Sequence, residues 1–596
     1  MSFLLKCGFG GVQELIAQSR KTMDLAASSA MLSDLAGVAA GAAKAAGASL
    51  VLPSDRPGRH WPHQLVVRIA ADDEEPVRKT GAAIESAVRG YWRQTILQNH
   101  QDLLSGWKAN PGSPLGHLAP SLETILNDEA AAVRNQVESA LELYWIAVAE
   151  EPDYISAYRR LARHYDERRH TRTFAGLDPL RSLERPWTCS LCGVRAAIVQ
   201  PPRMGWPAGV GFATGREQFC AICVAKRQGF SGGRGVFPST HRLARSRFSR
   251  MAVFASLRSK LSEAQQHRLL DDLDDWLLPD NAAAARGAVG DSWPLTPDVT
   301  EALRGLSPYY AILLFDGDRM GRWFSGELGS GDLAENQRLL SDKLFEFATA
   351  LKTTATDLSS WPVYAGGDDA LVFAPLDALL PLVQAGHAHW QSLITDPMEA
   401  GRGPTLTVHA HVLHAKEPLQ GALLSARQKL EHTKGHGGRN GFSFYADVRA
   451  GAPIHCRGSW GDDLEQLIKS VESLSSWRRT DRSQPDAVDA NARQLSRLPA
   501  RLPHTLVKGT RALFAPEYKE QGPPVLQPAL QEALRLEVNR LGARSDGGED
   551  SDPLLQWVTD RARDGRAEGW VLPWEAFQEG LRMASFLARE LDWGRA

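Results

Sequence analysis

The sequence predicts an α+β protein anchored on a ferredoxin-like core between Pro308 and Asp447. Three observations carry that expectation. First, strand-like apolar runs and helical periodic stretches follow one another there as β-α-β-β-α-β-α-β, a ferredoxin-like core with an addition. Second, the chain opens on another α+β stretch, from Ser2 to about Phe174, and the alternation suggests two related halves. Third, two cysteine pairs stand between the halves, followed by a linker-like stretch from Asp280 to Asp298 rich in Ala, Gly, Asp and Pro.

The opening run FLLKCGF reads as a strand, and the stripe of Val12, Leu15 and Ile16 as a helix. A second helix covers TMDLAASSAMLSDLAGVAAGAAKAAG. SLVLP and HQLVVRIA are strands, and two long amphipathic helices are expected at Ala82–Gln98 and Glu129–Glu150. A cysteine module runs from Leu177 to about Lys226. In the core, the strand YYAILLF precedes a helix at Leu333–Thr353, and WPVY and ALVFA flank a hairpin tip. A helix at Leu376–Ile394 leads to the strand TLTVHAHVLHA. A helix at Pro418–Thr433 leads to the last strand, GFSFYA. From Gly458 the pattern is helical with polar loops, which predicts a C-terminal helical bundle. The expected units are 1–176, 177–300, 301–450 and 451–596.

A chain of 596 residues suggests three to five domains. Hydrophobic content of 43% and charged content of 23% are those of an ordinary globular protein. A net charge of −2 means that nucleic acid can be met only through local basic patches. The N-terminus MSFLLKCGFG is too short an apolar run for a secretory signal. The Ala-rich stretch from Leu32 to Leu52 holds Asp34 and Lys44 and reads as a packed helix rather than a membrane span. Six cysteines in this length do not make a disulfide scaffold; they fit a reducing cytoplasm and a metal site. A cytoplasmic location without membrane contact is expected.

Gly366-Gly367-Asp368-Asp369 is the hairpin tip. Its glycines supply the φ > 0 geometry a tight tip needs. Asp316 ends the strand YYAILLF, and Asp318 lies two residues on. In a β-α-β-β core the first strand neighbours the hairpin, so Asp316 falls beside Asp368 and Asp369. Two like charges about 4 Å apart repel by about 4 kcal/mol at an effective dielectric of about 20. Three clustered carboxylates therefore call for a cation, and oxygen ligands favour Mg²⁺ or Mn²⁺ completed by phosphate and water. The turn DGDRMG leads into a helix and offers free N–H groups to phosphate. Lys434, in TKGHGGRN, is placed to reach a phosphate as a point charge. Asp318 is equally readable as an N-cap of the following helix.

LLFDGDRMGRWFSGE and VYAGGDDALVF together resemble the second palm domain of the polymerase-like large subunit of type III CRISPR effector complexes, in particular the type III-B (RAMP module) branch. GGVQELIAQSRKTMDLAASSAMLSDL resembles the start of that family's first palm. TKGHGGRN is similar to its last palm helix, and the paired cysteines fit as well. The resemblance implies two ferredoxin-like palm domains related to nucleotide cyclases and GGDEF proteins. It implies joining of ATP into cyclic oligoadenylates when the complex captures target RNA. It implies partners too: RAMP-type backbone and small subunits, a guide RNA and a target RNA. Carried over, Asp316, Asp368 and Asp369 become the metal ligands. Gly317, Asp318, Ser325, Gly366, Gly367 and Lys434 become nucleotide contacts. Many family members begin with an HD nuclease domain. No His-Asp dipeptide occurs here, so no DNase is expected, and the first palm is expected to be non-catalytic.

Cys189-x-x-Cys192 and Cys220-x-x-Cys223 are separated by 27 residues and suit a tetrahedral structural Zn²⁺. Cys7 and Cys456 read as buried free thiols. From Lys226 to Lys260 nine Lys or Arg occur with no Asp or Glu, and Phe230, Phe237, Phe248 and Phe254 interleave. That stretch suits either an RNA backbone or a solvated face. The mixed-charge run YRRLARHYDERRHTR, from Tyr158, is a weaker candidate. His409 and His411 share one strand face and read as satisfied strand histidines before a metal pair. Two rivals to the enzyme stand: a non-catalytic scaffold with a degenerate palm, and a stand-alone nucleotide cyclase.

Overall fold

The computed structural model describes residues 1–56, 61–109, 130–171, 187–201, 205–206, 215–228, 237–273, 297–398, 402–449, 451–461 and 573–592, with scattered single positions between them. The C-terminal bundle expected at 451–596 lies outside the described residues except at its two ends.

The first half is a ferredoxin-like unit. Strands β1 (Ser2–Phe9), β2 (Ser49–Leu52), β3 (Gln64–Ala70) and β4 (Leu143–Ala149) form one sheet in the order β2-β3-β1-β4. Every pairing is antiparallel. Strand β4 corrects the helix expected at Glu129–Glu150. The helix there spans Ala130–Ser139 only, and Leu-Tyr-Trp-Ile-Ala-Val-Ala returns along the edge of β1. Aromatic and β-branched residues suit a pleated, half-buried surface, and the open edge of β1 decides their state. The helix expected at Ala82–Gln98 is longer, Glu75–Ala109.

The Ala-rich helix spans Thr22–Ala45 and is apolar nearly all round. One face, with Met31, Leu35 and Ala39, packs on the first sheet. Leu25 and Leu32 pack instead with Tyr310, Ile312 and Leu371 of the second half. An all-round apolar helix is a buried helix. In its most apolar window, the only one among the described residues apolar and long enough to cross a membrane, 67% is buried in the fold.

The second half holds β5 (Tyr309–Gly317), β6 (Trp361–Gly366), β7 (Asp369–Pro375), β8 (Leu406–His414), β9 (Gly441–Ala446) and β10 (Ile454–Ser459). Their order is β10-β9-β8-β5-β7-β6. Strands β6, β7, β5 and β8 repeat the ferredoxin-like order of the first sheet, and β9 adds on parallel to β8. Strand β10 pairs with β9, so this sheet continues past the boundary expected at residue 450. Helices Leu333–Asp357 and Leu376–Trp390 cover one face. Helix Leu419–His432 and the first half cover the other. Sandwiching explains why Tyr-Tyr-Ala-Ile-Leu-Leu-Phe is apolar at every position.

The cysteine module is bolted onto both halves. Its helix, Ala221–Arg227, is buried throughout. Lys226 Nζ donates to the carbonyls of Leu15 (2.7 Å) and Gln18 (2.6 Å). The Arg227 guanidinium pairs with Asp24 (2.8 Å) and Glu217 (2.9 Å), all three well buried. Removing one partner of such a pair costs about 3–5 kcal/mol, because the other charge is left buried. Gln420 Nε2, from the second half, donates to the Leu191 carbonyl at 2.8 Å.

The basic stretch from Lys226 to Lys260 turns its resources inward. Phe248 and Phe254 are buried and stack at 4.8 Å, and Phe237 packs on Phe373. Arg245 donates to the Leu270 carbonyl, Arg258 to those of Phe248 and Met251, and Arg250 to Asp377. These aromatic rings are core and these guanidiniums fasten the chain, so the stacking surface for RNA is not built from them; Phe230 lies outside the described residues. His409 and His411 are buried, with Nδ1 of His409 hydrogen-bonded to Ser443 and Nε2 of His411 to Asp447. They are strand histidines and belong to no metal group among the described residues.

Candidate active site

Strand β5 sets the register of the site. Asp316 lies directly opposite Asp369, and the Gly317 N–H donates to the Asp368 carbonyl at 2.8 Å. Gly367 has φ +86° with open space around a would-be Cβ, so its role is conformational. The hairpin thus presents Gly366, Gly367, Asp368 and Asp369 where the two halves face each other.

Two cavities flank it. The larger, about 720 Å³, is lined by Gly366, Gly367 and Asp368, by Phe324 and Ser325, and by Lys6 and Tyr158 of the first half. The smaller, about 350 Å³, is lined by Asp369, Tyr364 and Arg427, and by Glu14, Trp61 and Arg169 of the first half. Pro62, His63, Ala365 and Gly366 line both and form the wall between them. The two adjacent aspartates therefore line different cavities. Among the described residues, the four cysteines are the one group of three or more metal-type side chains with donor atoms within 4.8 Å of each other. The three aspartates are spread more widely than a single tight ligand cluster.

Their electrostatics are those of crowded acids. Burial, then the nearby Asp316 charge, pushes the Asp368 carboxyl up to about 6. Burial, then Asp368 and Asp316, pushes Asp369 up to about 7, although Tyr364 donates to it. Burial raises Asp316 too, against the pull of the Lys434 ammonium bonded to it. A carboxylate whose folded-state value lies above its ordinary 3.8 holds a proton that the unfolded chain has lost. Stability from this pair is therefore full below about pH 4 and is lost as pH rises through about 6 to 7. We expect the unfolding midpoint of metal-free protein to fall from pH 5 to pH 8 more than that of the Asp368→Asn/Asp369→Asn variant, by roughly 1–3 °C. Mn²⁺ should restore the difference at pH 8 and do little at pH 5. Identical pH profiles for the two proteins in thermal melts would contradict this.

Some expected contacts are placed elsewhere. Asp318 is 2% exposed. Its oxygens accept from Thr405 and Thr407 hydroxyls (2.8 Å each) and the Asn440 N–H (2.9 Å). It ties β5 to β8 and to the 438–440 loop, lines neither of these two cavities and does not cap the helix at Met320–Phe324. Gly317 is buried; a Cβ there would meet Trp390 at 2.5 Å, so its smallness serves packing. Lys434 holds Asp316 rather than open cavity. Ser325 does line the larger cavity, with Oγ donating to the Arg322 carbonyl at 3.2 Å.

Tyr364, Arg427, Lys6 and His63 escaped sequence reasoning, and Arg169 was legible only as part of the mixed-charge run from Tyr158. Arg427 carried a usable signal: it lies seven residues before Lys434, on the same helical face. Lys6 and His63, from the first half, carried none, since only packing between the halves brings them here.

The Cys189, Cys192, Cys220 and Cys223 thiols are all buried and converge. Sγ of Cys192 and Cys220 are 3.9 Å apart, and hydrogen bonds from the neighbouring thiols hold Cys192 far below the usual thiol range. Four convergent sulfurs with a readily formed thiolate fit a structural Zn²⁺.

Two ferredoxin-like palms facing across a cleft, with acids on one hairpin, define a two-palm protein of the nucleotide-cyclase type of fold. Family comparison agrees: residues 309–443 match the second palm domain of Cas10/Cmr2, and residues 4–145 match the N-terminal part of the CRISPR-associated protein Cmr2. The chain thus carries two domains that match those of Cas10/Cmr2, the large subunit of type III CRISPR complexes. The structure described as "Type III-B Cmr-beta Cryo-EM structure of the Apo state" is similar at TM-score 0.60 and 11% identity, over 92% of this chain and 78% of that one. A type III-B Cmr-beta structure bound to cognate target RNA is similar at TM-score 0.58 and 12% identity, over 92% and 79%. No curated protein matches the sequence.

Proposed function

We propose that this subunit joins ATP molecules into cyclic oligoadenylates, in the cytoplasm, when its type III complex captures target RNA. The observation that carries the proposal is the hairpin standing between two cavities, one aspartate lining each. Each cavity would hold one ATP. A ribose hydroxyl of one attacks the α-phosphorus of the other; the bond to pyrophosphate breaks and pyrophosphate leaves. Asp316, Asp368 and Asp369 would hold Mg²⁺ or Mn²⁺, which supplies charge stabilisation to the attacking and leaving oxygens. Gly366 and Gly367 allow close backbone approach, Ser325 contacts the nucleotide in the larger cavity, and Lys434 steadies Asp316 and adds positive charge beside the phosphates. RAMP-type backbone and small subunits, guide RNA and target RNA complete the assembly. A DNase forms no part of this proposal.

The scaffold alternative predicts no nucleotide binding, and the stand-alone cyclase predicts no copurifying guide RNA. Calorimetric titration with a non-hydrolysable ATP analogue and Mn²⁺ separates the enzyme from the scaffold. Two nucleotides per chain are expected; none would refute the proposal.

A further inference from the structure

The short helix Met320–Phe324 follows the catalytic strand, and its C-terminal turn forms one wall of the larger cavity through Phe324 and Ser325. Three successive carbonyls of that turn are held from outside it. Gln337 Nε2 donates to the Phe324 carbonyl at 2.5 Å, and the Tyr154 hydroxyl of the first palm donates to Gln337 Oε1 at 2.5 Å. Arg159 of the first palm donates to the next two, Nε to Ser325 (3.0 Å) and Nη2 to Gly326 (3.1 Å). Helix ends leave carbonyls unpaired, and a guanidinium fork fits two of them at once.

Tyr154 and Arg159 lie on one first-palm helix, Tyr154–His170. The same helix lines the larger cavity with Tyr158, Ala162 and Asp166, spaced four residues apart on one face. A single element thus forms one wall of the cavity and grips the turn that forms another. The basic run that begins at Tyr158 is thereby accounted for in part by a contact between palms.

We propose that Arg159, supported by Tyr154 through Gln337, is a positioning residue through which the non-catalytic palm sets nucleotide affinity at the larger cavity. The idea rests on the functional reading above. It makes affinity depend on how the two palms pack, so a shift of one palm against the other is felt at the nucleotide.

Two readouts test it on the full chain. Hydrogen exchange without nucleotide should speed up in Arg159→Ala at the amides of residues 325–328, which bond back to carbonyls of residues 321–323. Binding of the ATP analogue with Mn²⁺ at the larger cavity should weaken roughly tenfold, as loss of two charge-assisted hydrogen bonds would give after solvent screening. In turnover, KM should rise by a similar factor with kcat unchanged. Arg159→Lys reaches one carbonyl and should recover only part of the loss. Tyr154→Phe alone should cost about two- to threefold, and little more when added to Arg159→Ala, because both hold one turn. Unchanged exchange overturns the latch. Faster exchange with wild-type affinity, or full recovery by lysine, overturns the positioning role. Absence of nucleotide binding by the wild-type chain overturns the functional reading and the positioning role together, while the exchange result still decides the latch.

Discussion

Replacing Asp368 and Asp369 together with alanine is expected to abolish adenylate synthesis, a loss of at least about a thousandfold, while the complex still assembles. The magnitude follows from what the pair supplies. Each aspartate lines one cavity, and on the proposed reading the pair would join Asp316 in holding the metal ions, giving up the protons that burial favours. Metal stabilisation of a transferring phosphoryl group contributes several kcal/mol to the barrier, and each 1.36 kcal/mol is tenfold in rate. Assembly should survive because neither side chain belongs to the apolar core: both are half-buried at a hairpin tip whose strands remain paired. Turnover measured as pyrophosphate release, beside size analysis of the assembly, checks both halves of the expectation. Wild-type product from the double variant would remove the hairpin from the chemistry.

Loss of the zinc site is expected to have the largest effect on stability. Metal analysis should find one Zn²⁺ per chain, and Cys220→Ser should lose it. Zinc binding in small modules is worth about 10–16 kcal/mol, and the net loss here is expected to reach about 5 kcal/mol, because neighbouring contacts persist. The unfolding midpoint should fall by about 4 °C. The damage should also travel. Cys220 begins the buried helix Ala221–Arg227, whose Lys226 and Arg227 grip Leu15, Gln18 and Asp24. That segment carries Gly11, Val12, Glu14 and Ile16 of the smaller cavity. The variant should therefore bind one nucleotide where the wild type binds two. A chain that holds no zinc and melts alike with and without chelator would contradict this.

The hairpin was legible because its information is local: two apolar runs, two glycines and two acids within fourteen residues. Asp316 was legible through strand order, and the cysteines through spacing. Residue type, however, does not fix direction. Asp318 carries the same carboxylate as Asp316, yet it turns inward to Thr405, Thr407 and Asn440, which lie about 90 to 120 residues on. The arginines after Lys226 resembled an RNA track because their partners, the Leu270 carbonyl and Asp377, are distant in sequence. Strand β4 was hidden behind the helix before it, and only the edge of β1 distinguishes the two. The cavity walls supplied by Lys6 and His63 arise from the packing of two palms and leave no trace in local pattern.

On the proposed reading the Gly366–Asp369 hairpin links ATP units held on its two sides. The most direct measurement is incubation of the assembled complex with ATP, Mg²⁺ or Mn²⁺ and target RNA, with products identified by mass. RNA-dependent formation of phosphodiester-linked adenylates and pyrophosphate, absent from the Asp368→Ala/Asp369→Ala complex, is the predicted result. An intact complex that binds target RNA and leaves ATP unchanged would contradict it.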